Sequence, residues 1–392
     1  MGLMLFCWMG GRMCTRVELA LSLLGIGYPN KRLGGYGAAP RGFRQVGVWQ
    51  PKERSWRVTG TPWMVFFALI MGGSMGVEPL QAAQRDWLYQ LQGAEPAAIC
   101  KTRFPLVVMD PARHGDANSR YHQKEIDQLT ACGTVPVAYL SIGEAEDYRG
   151  YWNPAWVTEK GGNQRTEQAP VWLGKTNPNW PGNYKVRYWH PAWWQDVLKP
   201  ELRRIVQQGF RGVYLDIIDA FEYWPDPTLQ GLPQGHEKRV ADDPVGNERE
   251  AAQRMIALVK RIAQTAREMG GDGFLIIPQN GEAIMDYDWG GDYLAAIDGI
   301  GVESLWYVRT AQQDDKAWLH KRLKRIWRIA AAPGKRVFSV DYVDNGHPED
   351  AANLARIREY QRRCFKEGFH CYAARDNQAL DVMNIIPGYQ PK

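Results

Sequence analysis

The chain has 392 residues, 45% of them hydrophobic and 23% charged, which excludes a disordered or collagen-like protein and suffices for one large α/β domain with a full core. Its formal charge of +5 comes from residues 1–83, which hold nine Lys or Arg and three acids; residues 84–392 carry 39 basic and 40 acidic side chains. A body this close to neutral lacks the footprint of nucleic-acid binding, and no such partner is expected.

Residues 1–60 show no sustained helical or strand period. An apolar run then covers 63–71, preceded by Lys52, Arg54 and Arg57 and followed by Gln81-Ala82-Ala83. Basic flank, short apolar segment and small residues at a cleavage site are the layout of a secretory signal. The run falls short of the roughly 20 residues that span a bilayer, so no stable membrane span is expected. Residues 1–83 therefore read as a leader, with the signal-like segment at about 61–83 and Met64 as an alternative start. The mature domain, 84–392, is expected to be secreted or periplasmic.

Beyond residue 84, short apolar runs alternate with helical patterns. Strands are predicted at 87–91, 106–109 and 135–140. A long insertion follows, 145–190, rich in Trp, Pro, Gly and Asn, and a loop of that length is expected to be functional. Residues 191–208 read as helical in two pieces, with Pro200 suited to a first helical turn. The next strand is 212–215, followed by a polar loop at 222–247. Ala252, Met255, Ile256, Val259, Ile262, Ala263 and Ala266 then form a stripe at helical spacing, stopped at Gly270-Gly271. Strands follow at 274–277, 300–302, 337–340 and 371–374, with helices at 316–331 and 351–366. Eight apolar strands with helical crossovers predict a single-domain (β/α)₈ TIM barrel. The competing open, doubly wound sheet lacks a GxGxxG after its first strand.

The strand ends carry Asp110, Glu144, Asp216 with Asp219, Gln279-Asn280, Glu303 and Asp341. In such barrels these ends form the active-site mouth. One Asp after a strand is ordinarily a turn or capping residue. Several converging carboxylates suit either a hard metal or the paired acids of a glycosidase. No CxxC or His cluster accompanies them, so neither metal nor cofactor is expected. The 17 Trp divide between core filling and sugar stacking, with Trp152, Trp189 and Trp306 the stacking candidates. Arg149 is expected either to orient Glu144 or to be a solvated loop charge. Four cysteines follow the leader, and three pairings are open; closeness in sequence favours Cys100–Cys132 and Cys364–Cys371.

Five stretches carry a family resemblance: Tyr89-Gln90-Leu91-Gln92-Gly93, Ala138-Tyr139-Leu140-Ser141-Ile142-Gly143-Glu144, 209–216 ending in Tyr214-Leu215-Asp216, Ile277-Pro278-Gln279-Asn280-Gly281, and Ile300-Gly301-Val302-Glu303. In this order they resemble the motifs of glycoside hydrolase family 114, the endo-α-1,4-polygalactosaminidases and their bacterial relatives, over about 84–385. The resemblance implies a barrel acting on α-1,4-linked galactosamine polymers, with Asp216 as nucleophile and Glu303 as general acid/base. Asp110, Glu144, Trp152, Asp219, Gln279, Asn280, Trp306 and Asp341 are the candidate substrate-binding residues. The 222–247 loop is longer and more polar than the family pattern and bears on substrate choice. Two other readings stand beside this one: a carbohydrate-binding barrel without turnover, and a metal-dependent hydrolase.

Overall fold

The computed structural model describes residues 86–227 and 240–391. The leader, with its signal-like segment and Cys7 and Cys14, lies outside the described residues.

In chain order the strands are β1 (Leu88–Tyr89), β2 (Leu106–Met109), β3 (Val135–Ser141), β4 (Glu144–Glu146), β5 (Leu173–Asn177), β6 (Trp180–Val186), β7 (Gly212–Asp216), β8 (Leu275–Pro278), β9 (Gly299–Glu303), β10 (Tyr307–Val308), β11 (Ala311–Gln312), β12 (Arg336–Asp344) and β13 (His370–Arg375). β1-β2-β3-β7-β8 form one parallel run and β13-β12-β9 another. Single parallel bridges join the two runs, Gln279 with Gly301 and Asp86 with Cys371. The circuit β1-β2-β3-β7-β8-β9-β12-β13 is therefore that of a (β/α)₈ barrel, as the alternation of elements predicts.

The β8–β9 seam has a sequence cause. The Asn280 N–H bonds the Gly301 carbonyl at 2.8 Å, and the Ile276 N–H bonds the Asp298 carboxylate at 2.8 Å, so this phase of β8 faces β9. Pro278 stands between them in the same phase and has no N–H to give.

The helical crossovers are α1 (Pro96–Ile99), α2 (Gln123–Ala131), α3 (Lys199–Gln207), α4 (Ala220–Tyr223), α5 (Glu248–Gly270), α6 (Asp292–Ala296), α7 (Lys316–Ala330) and α8 (Ala351–Lys366). The Asn247, Asp315 and Asp350 side chains accept from backbone N–H groups in the first turns of α5, α7 and α8. The predicted stripe of α5 is buried throughout. Ahead of α3, Trp193–Leu198 forms a wide π-type turn that buries both tryptophans.

The barrel interior is aromatic. Trp87 stacks on Tyr89 at 5.5 Å and meets Tyr214, Phe338 and Tyr372 at 5.5–6.1 Å. Gly301 leaves room for this filling, because a Cβ there would lie 1.8 Å from the Tyr214 hydroxyl.

The insertion is not the open loop that its Gly and Pro content suggests. β4, β6 and β5 pair antiparallel as a small sheet. Three of its tryptophans pack on one another: Trp152 lies against Trp156 and Tyr184, and Trp156 against Trp172, at 4.6–5.3 Å. Both preferred disulfides form, Cys100–Cys132 and Cys364–Cys371. Among the described residues, no helix is long and apolar enough to cross a membrane.

Candidate active site

Strand phase decides which side chains reach the mouth. Successive residues of a strand face opposite sides. On β7, Tyr214 points into the barrel filling, so Asp216 points the same way one layer higher. On β9, Glu303 shares the inward phase of Gly301. Asp216 and Glu303 thus meet over one aromatic floor.

Asp216 is 7% exposed. Its Oδ2 accepts from the Tyr139 hydroxyl of β3 at 2.6 Å, and its Oδ1 accepts from the Ile217 N–H at 2.8 Å. Burial pushes its carboxyl up to about 8; the Tyr139 hydrogen bond opposes this and the nearby Glu303 charge adds to it. Glu303 keeps some contact with solvent, yet desolvation also raises its pKa. Its Oε1 accepts from the Tyr342 hydroxyl of β12. Its Oε2 faces the Asn280 amide at 3.4 Å, and its backbone N–H bonds Asn280 Oδ1 at 3.0 Å. Gln279 is buried and accepts from the Tyr89 hydroxyl at 2.9 Å.

The backbone turns sharply behind each of these residues. Ile217, Asn280 and Ser304 follow Asp216, Gln279 and Glu303 with φ of 64°, 53° and 50°. A β-branched residue in the left-handed region is strained, at a cost of about 1–3 kcal/mol, and such strain collects at functional sites. Gly143 lets the loops after β3 and β7 close over the site, since a Cβ there would lie 2.3 Å from the Ile217 carbonyl oxygen.

Beside the pair lies a cleft of about 200 Å³ lined by Asp110, Tyr139, Glu146, Tyr148, Arg149 and Trp180, among others. Arg149 pairs with Asp110 at 2.7 Å and with Glu146 at 2.6 Å, so it serves Asp110 and Glu146 rather than Glu144. Glu144 is sealed at 1% exposure, paired with Lys185 of β6 and accepting from the Asn177 amide at 2.9 Å. It ties the three strands of the small sheet to one another and does not line an open cleft. Asp219 stands ahead of α4 without capping it; burial pushes it up to about 6, with Lys185 pulling down and Glu144 and Glu282 pushing up. Glu222, one turn on, is pushed by burial to about 7. A larger groove, about 370 Å³, lies outside between residues 117–123 and 204–208. Its Arg120 and Arg204 are both paired with Glu201.

Three further expectations are corrected. Asp341 is fully buried and accepts from the Leu305, Trp306 and Tyr307 N–H groups at 2.8–2.9 Å. Its neighbour Ser339, in the same phase, meets Tyr360 of α8, so this face of β12 looks at the helices. The inward residue at that strand end is Tyr342. Trp306 is 3% exposed and packs against Tyr360 and Phe369, so it is core rather than a stacking platform. Trp152 is spent on its own aromatic cluster. Conversely, Tyr139, Tyr342 and Arg322 belong to the site and were not singled out from the sequence. Arg322 of α7 pairs with Glu282 and donates to the Glu303 carbonyl at 3.0 Å. Among the described residues, no group of three His, Cys, Asp or Glu is arranged to hold a metal ion.

The profile of glycoside-hydrolase family GH114 matches residues 75–387. An uncharacterized protein of Thermotoga maritima is 40% identical over 306 residues, 78% of this chain and 85% of that protein. The uncharacterized protein MJ1477 of Methanocaldococcus jannaschii is 37% identical over 298 residues, 76% of this chain and 78% of that one. Among solved structures, the glycoside hydrolase domain of PelA from Pseudomonas aeruginosa superposes with a TM-score of 0.50 at 17% identity, over 78% of this chain and 98% of that one. Aspergillus fumigatus Ega3, solved with galactosamine, gives 0.49 at 15% identity, over 78% and 97%. At such identity the PelA likeness is one of fold. With a barrel whose mouth holds two desolvated carboxyls, and with a family profile spanning nearly all the described residues, the chain belongs to glycoside-hydrolase family GH114.

Proposed function

We propose that this glycosidase is an exported endo-acting hydrolase of an amino-sugar polysaccharide, an α-1,4-linked galactosamine polymer, with Asp216 as nucleophile and Glu303 as general acid/base. The supporting observation is the pair itself: two carboxyls on β7 and β9, each accepting from a buried tyrosine and each raised by desolvation. In the first step an Asp216 oxygen attacks the anomeric carbon while the bond to the leaving oxygen breaks, and Glu303 gives that oxygen its proton. In the second, Glu303 takes a proton from water, whose oxygen displaces Asp216 and restores both groups. This sequence retains stereochemistry and needs carboxyls about 5–5.5 Å apart; about 6.5–9.5 Å means inversion.

The acids around the pair favour a cationic sugar. Burial, with the neighbouring Glu303 charge adding to it, raises the Asp216 carboxyl to about 8. An ammonium within about 4–6 Å favours its ionised form. Asp219 and Glu222 extend the acidic surface along the loop after β7.

The test is product release from α-1,4-galactosamine polymer by the protein lacking residues 1–83, beside Asp216→Asn and Glu303→Gln. Cleavage by the parent and losses of at least about 10³-fold, roughly 4 kcal/mol of transition-state stabilisation, in both variants are expected. Undiminished binding with no cleavage by the parent would instead indicate a binding barrel.

A further inference from the structure

We propose that Tyr139 and Tyr342 are positioning residues that orient the two carboxyls and favour their ionised forms, Tyr139 for Asp216 and Tyr342 for Glu303. This rests on the reading of Asp216 and Glu303 as the reacting pair.

Each carboxyl accepts from one buried hydroxyl that reaches it from the neighbouring strand. Both oxygens of Asp216 face donors at short range, the Tyr139 hydroxyl at 2.6 Å and the Ile217 N–H at 2.8 Å. Glu303 accepts from the Tyr342 hydroxyl at Oε1, with the Asn280 amide 3.4 Å from Oε2 and the Gln279 side chain also donating to the carboxyl. Asn280 is held in place, because its Oδ1 takes the Glu303 N–H at 3.0 Å and Arg322 at 3.3 Å. Donors to a carboxylate favour its ionised form, against the burial that raises both groups.

Both tyrosines are built for this. Tyr139 is 5% exposed and Tyr342 fully buried. Burial raises both phenols well above their ordinary range, so each keeps its hydrogen across working pH.

The surroundings of each carboxyl enter the expected titration. Asp216 faces Tyr139 from β3, Glu303 from β9, Asp219 from its own loop, and the hydroxyls of Tyr89, Tyr214 and Tyr342. Glu303 faces Tyr342 from β12, Gln279 and Asn280 after β8, Arg322 from α7, and Tyr89 and Tyr214 from β1 and β7. A hydroxyl donating to a carboxylate favours the ionised form, so its removal raises the pKa of the partner.

The experiment is an infrared carboxyl titration of the full chain as Tyr139→Phe, Tyr342→Phe and parent. Asp216→Asn and Glu303→Gln assign the two bands, and Tyr360→Phe serves as a buried-hydroxyl control. Tyr360 donates to the Ser339 carbonyl at 2.8 Å on the helix side of β12. Loss of Tyr139 is expected to raise the Asp216 midpoint by about one pH unit or more, and loss of Tyr342 to do the same for Glu303, each moving its own partner further than the other. With polymer, the acidic limb of kcat/KM rises in Tyr139→Phe and the basic limb in Tyr342→Phe, while Tyr360→Phe leaves both limbs in place. Unmoved midpoints, or equal shifts from the control, would overturn the proposal. A parent that cleaves no polymer defeats the substrate reading alone, because the infrared midpoints still decide the tyrosines.

Discussion

Asp216 is held in a place that favours its neutral form, and the fold carries the cost. An unfolded Asp ionises near pH 4, whereas burial moves the folded group to about 8. Between those values the unfolded chain has released the proton and the native chain has not, so stability falls as pH rises and levels off above about 8. Asp216→Asn removes this cost. Its melting temperature is expected to match the parent near pH 4 and to exceed it increasingly up to pH 8, by about 1–3 kcal/mol in unfolding free energy. Thermal unfolding across that pH range checks it; a gap that does not widen with pH would disprove the linkage. At this scale the sequence was half legible. Asp216 and Glu303 stood out because each closes an apolar run within a stretch that carries the family resemblance. Asp341 closes an apolar run too, yet strand phase sends it outward to hold the 305–307 backbone. Tyr342 gave no signal, and Tyr139 none of its own beyond lying in a family stretch, since a tyrosine in a strand reads as core.

The antiparallel sheet β4-β6-β5 shows what an insertion contributes when its charges are internal. Arg149 bridges Asp110 at the end of β2 to Glu146 of β4, all three nearly sealed. Removing one partner of a buried pair leaves the others uncompensated. Arg149→Met is expected to cost about 3–5 kcal/mol and to speed amide exchange in β4 and β6 before that of the barrel, with Asp110→Asn and Glu146→Gln in the same chain recovering part of the loss. Exchange mass spectrometry of the three chains decides this. Gly301 supplies a second test, within the barrel itself. Gly301→Ala places a methyl against Tyr214 and is expected to lower stability by about 1–3 kcal/mol and depress turnover, because Glu303 is two residues on. A variant as stable and active as the parent would show that the floor tolerates repacking. The sheet was not legible because Pro, Gly and Asn are turn signals, whereas its strands are made by pairing between β4 and β6, some 40 residues apart.

Eight strands and their helices were readable because parallel strands buried on both faces leave continuous apolar runs. The disulfides were readable because both pairs lie close along the chain, 32 and 7 residues apart. They suit the proposed export, and replacing Cys100 and Cys132 by Ala is expected to cost about 2–4 kcal/mol, seen as a lower melting temperature under oxidising conditions and no difference under reducing ones. What composition does not announce is that Pro278 divides the circuit. Asp216 rides on the five-stranded run and Glu303 on the three-stranded run, and the thinly bonded seam passes between them. The barrel is thus a calliper whose jaws are the two carboxyls and whose joint is a missing N–H. Arg322 and Asn280 clasp that joint from outside and within. A substitution that lets the joint slip by an ångström would change how far apart the jaws stand, and with it which face of the sugar the water attacks.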